Sequence, residues 1–122
     1  ILLFFTALFG EWKSDKTLNQ FRLNPANKGK VCKVGLWSLS RHPNYFFEWL
    51  HWLSYPLLCI GSFPEVFLSI TGPLSLLILI LKVSGIPLTE AQAIRSRGQA
   101  YIDYQLTTPA FFPTIFRKKK ND

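Results

Sequence analysis

The sequence predicts an all-α protein, the C-terminal portion of a polytopic helical bundle embedded in a membrane. Three observations predict it. Hydrophobic residues make up 48% of the 122-residue chain and charged residues only 17%, against about 25% charged in ordinary soluble domains. The apolar residues are gathered into long runs, of which Val66–Leu81, ending at Lys82, is the clearest. The basic residues avoid those runs: seven Lys/Arg lie between Lys13 and Arg41, seven between Lys82 and Lys120, and none between. Two basic blocks around a centre without Lys or Arg are what a helical hairpin with both feet on the cytoplasmic side would leave.

The chain starts inside an apolar run, Ile1-Leu2-Leu3-Phe4-Phe5, and contains no Met. Residues 1–10 are therefore expected to be the end of a membrane helix that begins upstream, in a longer protein. A signal peptide would carry a basic n-region and a small-residue cleavage site, and neither is present. Gly10-Glu11-Trp12 marks the expected exit, with Trp12 at interface depth.

Residues 11–43 are polar and basic and read as a cytoplasmic loop. Asn24-Pro25-Ala26-Asn27-Lys28-Gly29-Lys30 is a turn cluster. A short helical extension is expected around Ser14–Arg22. On it Asp15 and Arg22, seven apart, share a face. They could hold a ribose and a phosphate, or form a solvated surface pair.

Residues 44–62 form the next expected span. From Tyr45 to Ile60 only Glu48, His51 and Ser54 are strongly polar. Ionisable groups within a span are costly and usually face a cavity or a partner. On a helix Asn44, Glu48, His51 and Tyr55 fall on one stripe, which suits either the wall of a polar cavity or hydrogen bonding between helices. Arg41 and His42 head this helix, with Pro43 at a first-turn position. An Arg beside a helix N-terminus can hold a phosphate, or anchor the helix to lipid headgroups.

Gly61-Ser62-Phe63-Pro64 breaks the chain, and residues 66–82 form the returning span, with a kink expected at Gly72-Pro73. Residues 83–122 are cytoplasmic again. Thr89 is placed to cap one helix from about Glu90 to Tyr104, ended by Thr108-Pro109. Its Glu90, Arg95, Arg97, Tyr101 and Tyr104 offer a basic and aromatic face that could cover an adenine-containing cofactor or lie on the bilayer. Lys119-Lys120-Asn121-Asp122 is similar to a dilysine retrieval signal of the endoplasmic reticulum. The expected location is thus an integral membrane one: the bacterial inner membrane, or the endoplasmic reticulum in a eukaryote.

Other function classes are excluded or left without a signal. The net charge of +7 is not accompanied by any nucleic-acid reader motif. Cys32 and Cys59 have no metal-ligand spacing and are expected to be free thiols. There is no Gly-x-Gly-x-x-Gly and no P-loop, so a dinucleotide would need a non-Rossmann site.

Two blocks carry a resemblance. The first runs Phe21-Arg22-Leu23-Asn24-Pro25-Ala26-Asn27-Lys28-Gly29-Lys30-Val31-Cys32, then Gly35-Leu36-Trp37-Ser38-Leu39-Ser40-Arg41-His42-Pro43-Asn44-Tyr45-Phe46-Phe47-Glu48-Trp49. The second is the tail, with Gly85-Ile86-Pro87-Leu88-Thr89-Glu90, Arg97-Gly98, Tyr101, Tyr104-Gln105 and Thr107 to Pro113. Together they resemble the steroid 5-alpha-reductase C-terminal domain family, in its mostly bacterial branch. Arg41-His42-Pro43 is similar to the sterol C14/delta-7 reductases, which usually carry Asp at the position of Glu48. Thr17 stands where many relatives have Gln.

The resemblance implies an all-helical membrane enzyme that binds NADPH on the cytoplasmic side and reduces an activated carbon–carbon double bond in a steroid-like or other lipid substrate. It implies that Asn44, Tyr45 and Glu48 hold the nicotinamide end, that Asp15, Arg22, Arg41 and Arg95 hold ribose and phosphates beside His42, and that Tyr101 and Tyr104 pack over the cofactor. The proton donor would lie in an N-terminal half outside this chain. The isoprenylcysteine carboxyl methyltransferases have a similar Arg-His-Pro motif and tail, which makes S-adenosylmethionine the alternative cofactor. The Asn44/Glu48 and Asp15/Arg22 pairs favour the reductase.

Overall fold

The computed structural model describes residues 1–113. Its described residues contain helices and no strand. The elements are α1 (Leu2–Leu23), α2 (Pro43–Leu58), α3 (Glu65–Ile78), α4 (Ile86–Arg97) and α5 (Gln99–Thr107). Short 3-10 turns at Pro25–Asn27 and Gly35–Ser38 punctuate the loop between α1 and α2. The basic run Arg117 to Lys120 and the dilysine-like end lie outside the described residues.

α1 is longer than the sequence suggests. It runs unbroken through Gly10-Glu11-Trp12 to Leu23 and absorbs the extension expected at 14–22. A lone Gly does not break a helix when packing favours it. Here Gly10 is where α2 approaches: a Cβ at this position would sit 2.3 Å from the Phe47 ring. Gly10→Ala should therefore cost about 1–3 kcal/mol through overpacking, read as a lowered midpoint of thermal unfolding in detergent. An unchanged midpoint would mean that the two helices are not held at this distance.

α2 begins at Pro43, whose missing N–H and fixed φ suit a first turn. Cys59–Pro64 then turns the chain, and α3 returns along α2. The Trp49 indole Nε1 donates to the Pro73 carbonyl at 3.1 Å. α3 stays helical across Gly72-Pro73 and passes into a π-turn at Leu79–Val83. The amides of Ser84 and Gly85 both close on the Leu79 carbonyl.

The helical run Glu65–Arg97, 33 residues, is long and apolar enough to cross a membrane. Its apolar residues are concentrated in the first half, and many are bare: Phe67 is 62% exposed and Leu68 74%. A helix with large apolar side chains facing outward needs a lipid or protein neighbour.

The single helix expected from Glu90 to Tyr104 is two helices. α4 starts four residues earlier, with Pro87 in its first turn, so Thr89 is inside the helix and does not cap it. Gly98, at φ +57°, separates α4 from α5, a backbone region open to glycine at little cost. The core at this end is Ile80, Ile86 and Phe111, packed by Phe46 and Trp49 of α2. The segment after α5 is pinned there: the Arg41 amide donates to the Pro109 carbonyl at 2.9 Å, and the Ser40 hydroxyl to that of Phe111 at 2.9 Å.

Candidate functional site

Where the α1–α2 loop, the head of α2 and the pair α4–α5 meet, they enclose a cleft of about 260 Å³. The loop is shaped locally before it is used. Asn24 Oδ1 accepts from the Ala26 amide, Asn27 donates to the Phe21 carbonyl, and the Trp37 indole donates to the Ser14 carbonyl at 3.0 Å. Those bonds lay the loop back along α1. Its far side is held by Tyr104, buried in α5, whose hydroxyl donates to the carbonyls of Trp37 and Ser40. Tyr104→Phe leaves those buried carbonyls short of a donor. It should destabilise the protein by about 1–3 kcal/mol, measurable as a lowered thermal midpoint in detergent.

Among the described residues four cationic side chains line the cleft, Arg22, Lys30, Arg41 and Arg97, and no carboxylate does. Arg22 makes no ion pair among the described residues. Arg97 Nε donates to the Lys30 carbonyl at 3.0 Å, which fixes the α4 end of the cleft to the loop. Arg41 is turned toward Glu90, its Nη1 2.7 Å from Oε2, while its buried Nε has no hydrogen-bond partner among the described residues. A buried N–H without a partner is uncommon.

Aromatic faces alternate with these cations. Trp37, Tyr45, Tyr101 and Tyr104 line the cleft. His42 stacks on Tyr45 with ring centres 5.4 Å apart and planes 17° from parallel. Burial, with a smaller push from the charge of Glu90, raises the Tyr101 phenol to about 12, so it stays a hydrogen-bond donor at neutral pH. Burial likewise raises the Cys32 thiol, which keeps it neutral and weakly nucleophilic. Cys32 and Cys59 are both free.

Arg22, Arg41, His42, Asn44, Tyr45, Tyr101 and Tyr104 come together in this cleft. Three residues named beside them from the sequence do not line it. Asp15 is exposed, two turns back along α1. Arg95 is exposed and donates to Gln92 Oε1 at 3.1 Å. Glu48 is half-buried one turn further along α2, close enough to Glu11 for their charges to interact. The polar stripe on α2 therefore does not line one cavity. Asn44 reaches the cleft, whereas deeper in α2 His51 bonds Tyr55 at 3.0 Å and lies 4.7 Å from the Phe4 ring of α1. Helix-to-helix packing occupies that half of the stripe.

The structure adds Lys30, Cys32, Trp37 and Thr89 to the lining, and Arg97 of the expected basic and aromatic face lies there with them. Glu90 stands directly behind the lining. Burial alone would raise the Glu90 carboxyl. Hydrogen bonds from His42 and Gln105, with the charges of Arg41 and His42, outweigh that and hold it below the ordinary carboxylate range. The result is a pocket with a fixed anionic back and a cationic and aromatic lining.

A family model described as "Protein of unknown function (DUF1295)" matches residues 1–108 of the chain. No curated protein and no solved structure matches it.

Proposed function

The chain belongs to the family described as Protein of unknown function (DUF1295), and from that premise we propose that it is part of a membrane-embedded, NADPH-dependent reductase of the steroid 5-alpha-reductase type. Its substrate is a steroid-like or other lipid carrying an activated carbon–carbon double bond. In this reading α2 and α3 both span the bilayer as a hairpin, and the cleft at the head of α2 opens on the cytoplasmic side.

One observation carries the reading: the cleft is cationic and aromatic, free of carboxylates in its lining, and sits at the foot of helices with bare apolar faces. A nicotinamide dinucleotide phosphate has the matching chemistry, several phosphate charges and two planar ring systems. The cleft, at about 260 Å³, is a little smaller than the roughly 300–1,000 Å³ of pockets that enclose a whole small molecule. It would hold one end of the cofactor and leave the other end over the open side.

The residues divide by chemistry. Arg22, Lys30, Arg41 and Arg97 neutralise phosphate. Tyr45, Tyr101 and Trp37 offer ring faces. Asn44, at the membrane end of the cleft, offers an amide to the nicotinamide carboxamide. The hydride chemistry is the cofactor's own; the protein contributes orientation and electrostatics.

Calorimetric titration of the full-length protein in detergent with NADPH and, separately, with S-adenosylmethionine tests the proposal. Saturable binding of NADPH with none of S-adenosylmethionine is expected. Binding of S-adenosylmethionine alone would make the protein a methyltransferase and end the reductase reading.

A further inference from the structure

We infer that Glu90 is the positioning residue of the cleft, holding Arg41 and His42 in the orientation and hydrogen-bonding state in which they meet the ligand. As far as the ligand is concerned this rests on the reductase reading; the hold on His42 does not.

Glu90 is not among the residues that line the cleft. It is 8% exposed and lies behind Arg41, His42, Tyr45 and Thr89, which line the cleft. Its Oε2 accepts from Arg41 Nη1 at 2.7 Å and from the Gln105 side-chain amide, and its Oε1 lies 3.2 Å from His42 Nε2. One carboxylate thus joins the loop before α2 to both α4 and α5. Its sequence neighbour continues the grip: the Thr89 hydroxyl is 3.0 Å from the Tyr45 hydroxyl.

Three consequences follow from chemistry. An ionised carboxylate only accepts, so His42 must carry a hydrogen on Nε2, and in the neutral ring Nδ1 is then the acceptor. The stack of His42 on Tyr45 transmits that ring orientation to a second cleft residue. Arg41, committed through Nη1, cannot rotate freely, and its unpartnered Nε is held where it is. A side chain already ordered before the ligand arrives spares the entropy of ordering it.

Two arms test this on the full-length protein in detergent. The first needs no cofactor. The ¹⁵N shifts of ring-labelled histidine, with His42 assigned through His42→Gln, should report hydrogen on Nε2. Glu90→Gln, which keeps an acceptor, should preserve that state. Glu90→Met, of similar volume and without an acceptor, should give mixed tautomers. Hydrogen on Nδ1 in the wild type, or an unchanged spectrum in Glu90→Met, would overturn the inference. The second arm is a double-mutant cycle on the dissociation constant of NADPH. Arg41→Gln should weaken NADPH roughly 30-fold in the wild type but less than roughly threefold in Glu90→Met, because the two act as a unit. Additive losses would show that Glu90 does not act through Arg41. Should the wild type take up no NADPH, the cofactor reading fails and the tautomer arm alone decides the role of Glu90.

Discussion

Replacing Glu90 by alanine is expected to cost about 3–5 kcal/mol of stability, the range for removing one partner of a buried ion pair. The side chains of Arg41 and Glu90 are only 12% and 10% exposed. Without the carboxylate, Arg41 keeps its charge in a nearly dry site where its Nε already lacks a partner. His42, 3% exposed, loses its acceptor, and Gln105 loses its own. Thermal unfolding in detergent reads the loss. Replacing Arg41 and Glu90 together by Gln should cost less than the sum of the single changes, because no orphaned charge remains.

The same carboxylate sets a pH dependence whose sign is fixed. Its folded value lies below the ordinary 4.5. A group depressed on folding adds stability that is fully present above its unfolded value and is lost as the pH falls through the folded one. The thermal midpoint of the wild type should therefore drop as the pH falls below about 4.5. In Glu90→Gln that part of the drop should be missing. Equal acid sensitivity of both proteins would mean that Glu90 is not paired as described.

Arg22→Glu should weaken NADPH about 100-fold, since it removes a charge-assisted hydrogen bond of about 1.5–3 kcal/mol and adds repulsion. Arg22 is exposed in the last turn of α1 and makes no ion pair among the described residues. The fold should lose no more than about 1 kcal/mol, mainly the favourable position of a cation at a helix C-terminus. Binding and stability are thereby separated: a large change in the dissociation constant with a small change in thermal midpoint. Unchanged NADPH affinity would remove Arg22 from the site. Asp15→Asn, outside the cleft on the same helix, measures how far the cofactor reaches along α1.

The helical class and the long apolar stretch from Val66 to Leu81 were legible because composition and charge spacing report them directly. Pro43 opening α2 was legible for the same local reason: a proline's missing N–H and fixed φ suit a first turn. What local signals could not carry was decided by contacts between distant segments. α1 continues past Gly10 because Phe47, 37 residues on, packs against a glycine that has no Cβ. The break at Gly98 turns on one positive φ, which a lone glycine permits but does not announce.

The site divides along the same line. Arg22, Arg41, Asn44, Tyr45 and the two tyrosines of α5 carried a motif resemblance and come together in space. Lys30 and Trp37 entered the lining because the loop folds back, which no periodicity encodes. Glu90 was visible as an acid on a basic helix, but its bonds to Arg41 and His42 span 49 and 48 positions. The stripe on α2 was correct as a pattern on a helix. Its division between the cleft and the α1 contact depended on where Phe4 falls.

The most direct test of the account is where a dinucleotide touches the chain. The full-length protein in detergent would be labelled with an azido-adenine analogue of NADPH under light, and the adducts mapped by peptide mass spectrometry. The account predicts adducts on cleft peptides, those carrying Arg22 to Tyr45 or Thr89 to Tyr104, suppressed by unlabelled NADPH and untouched by S-adenosylmethionine. Adducts confined to other segments, or suppressed by S-adenosylmethionine in place of NADPH, would contradict it.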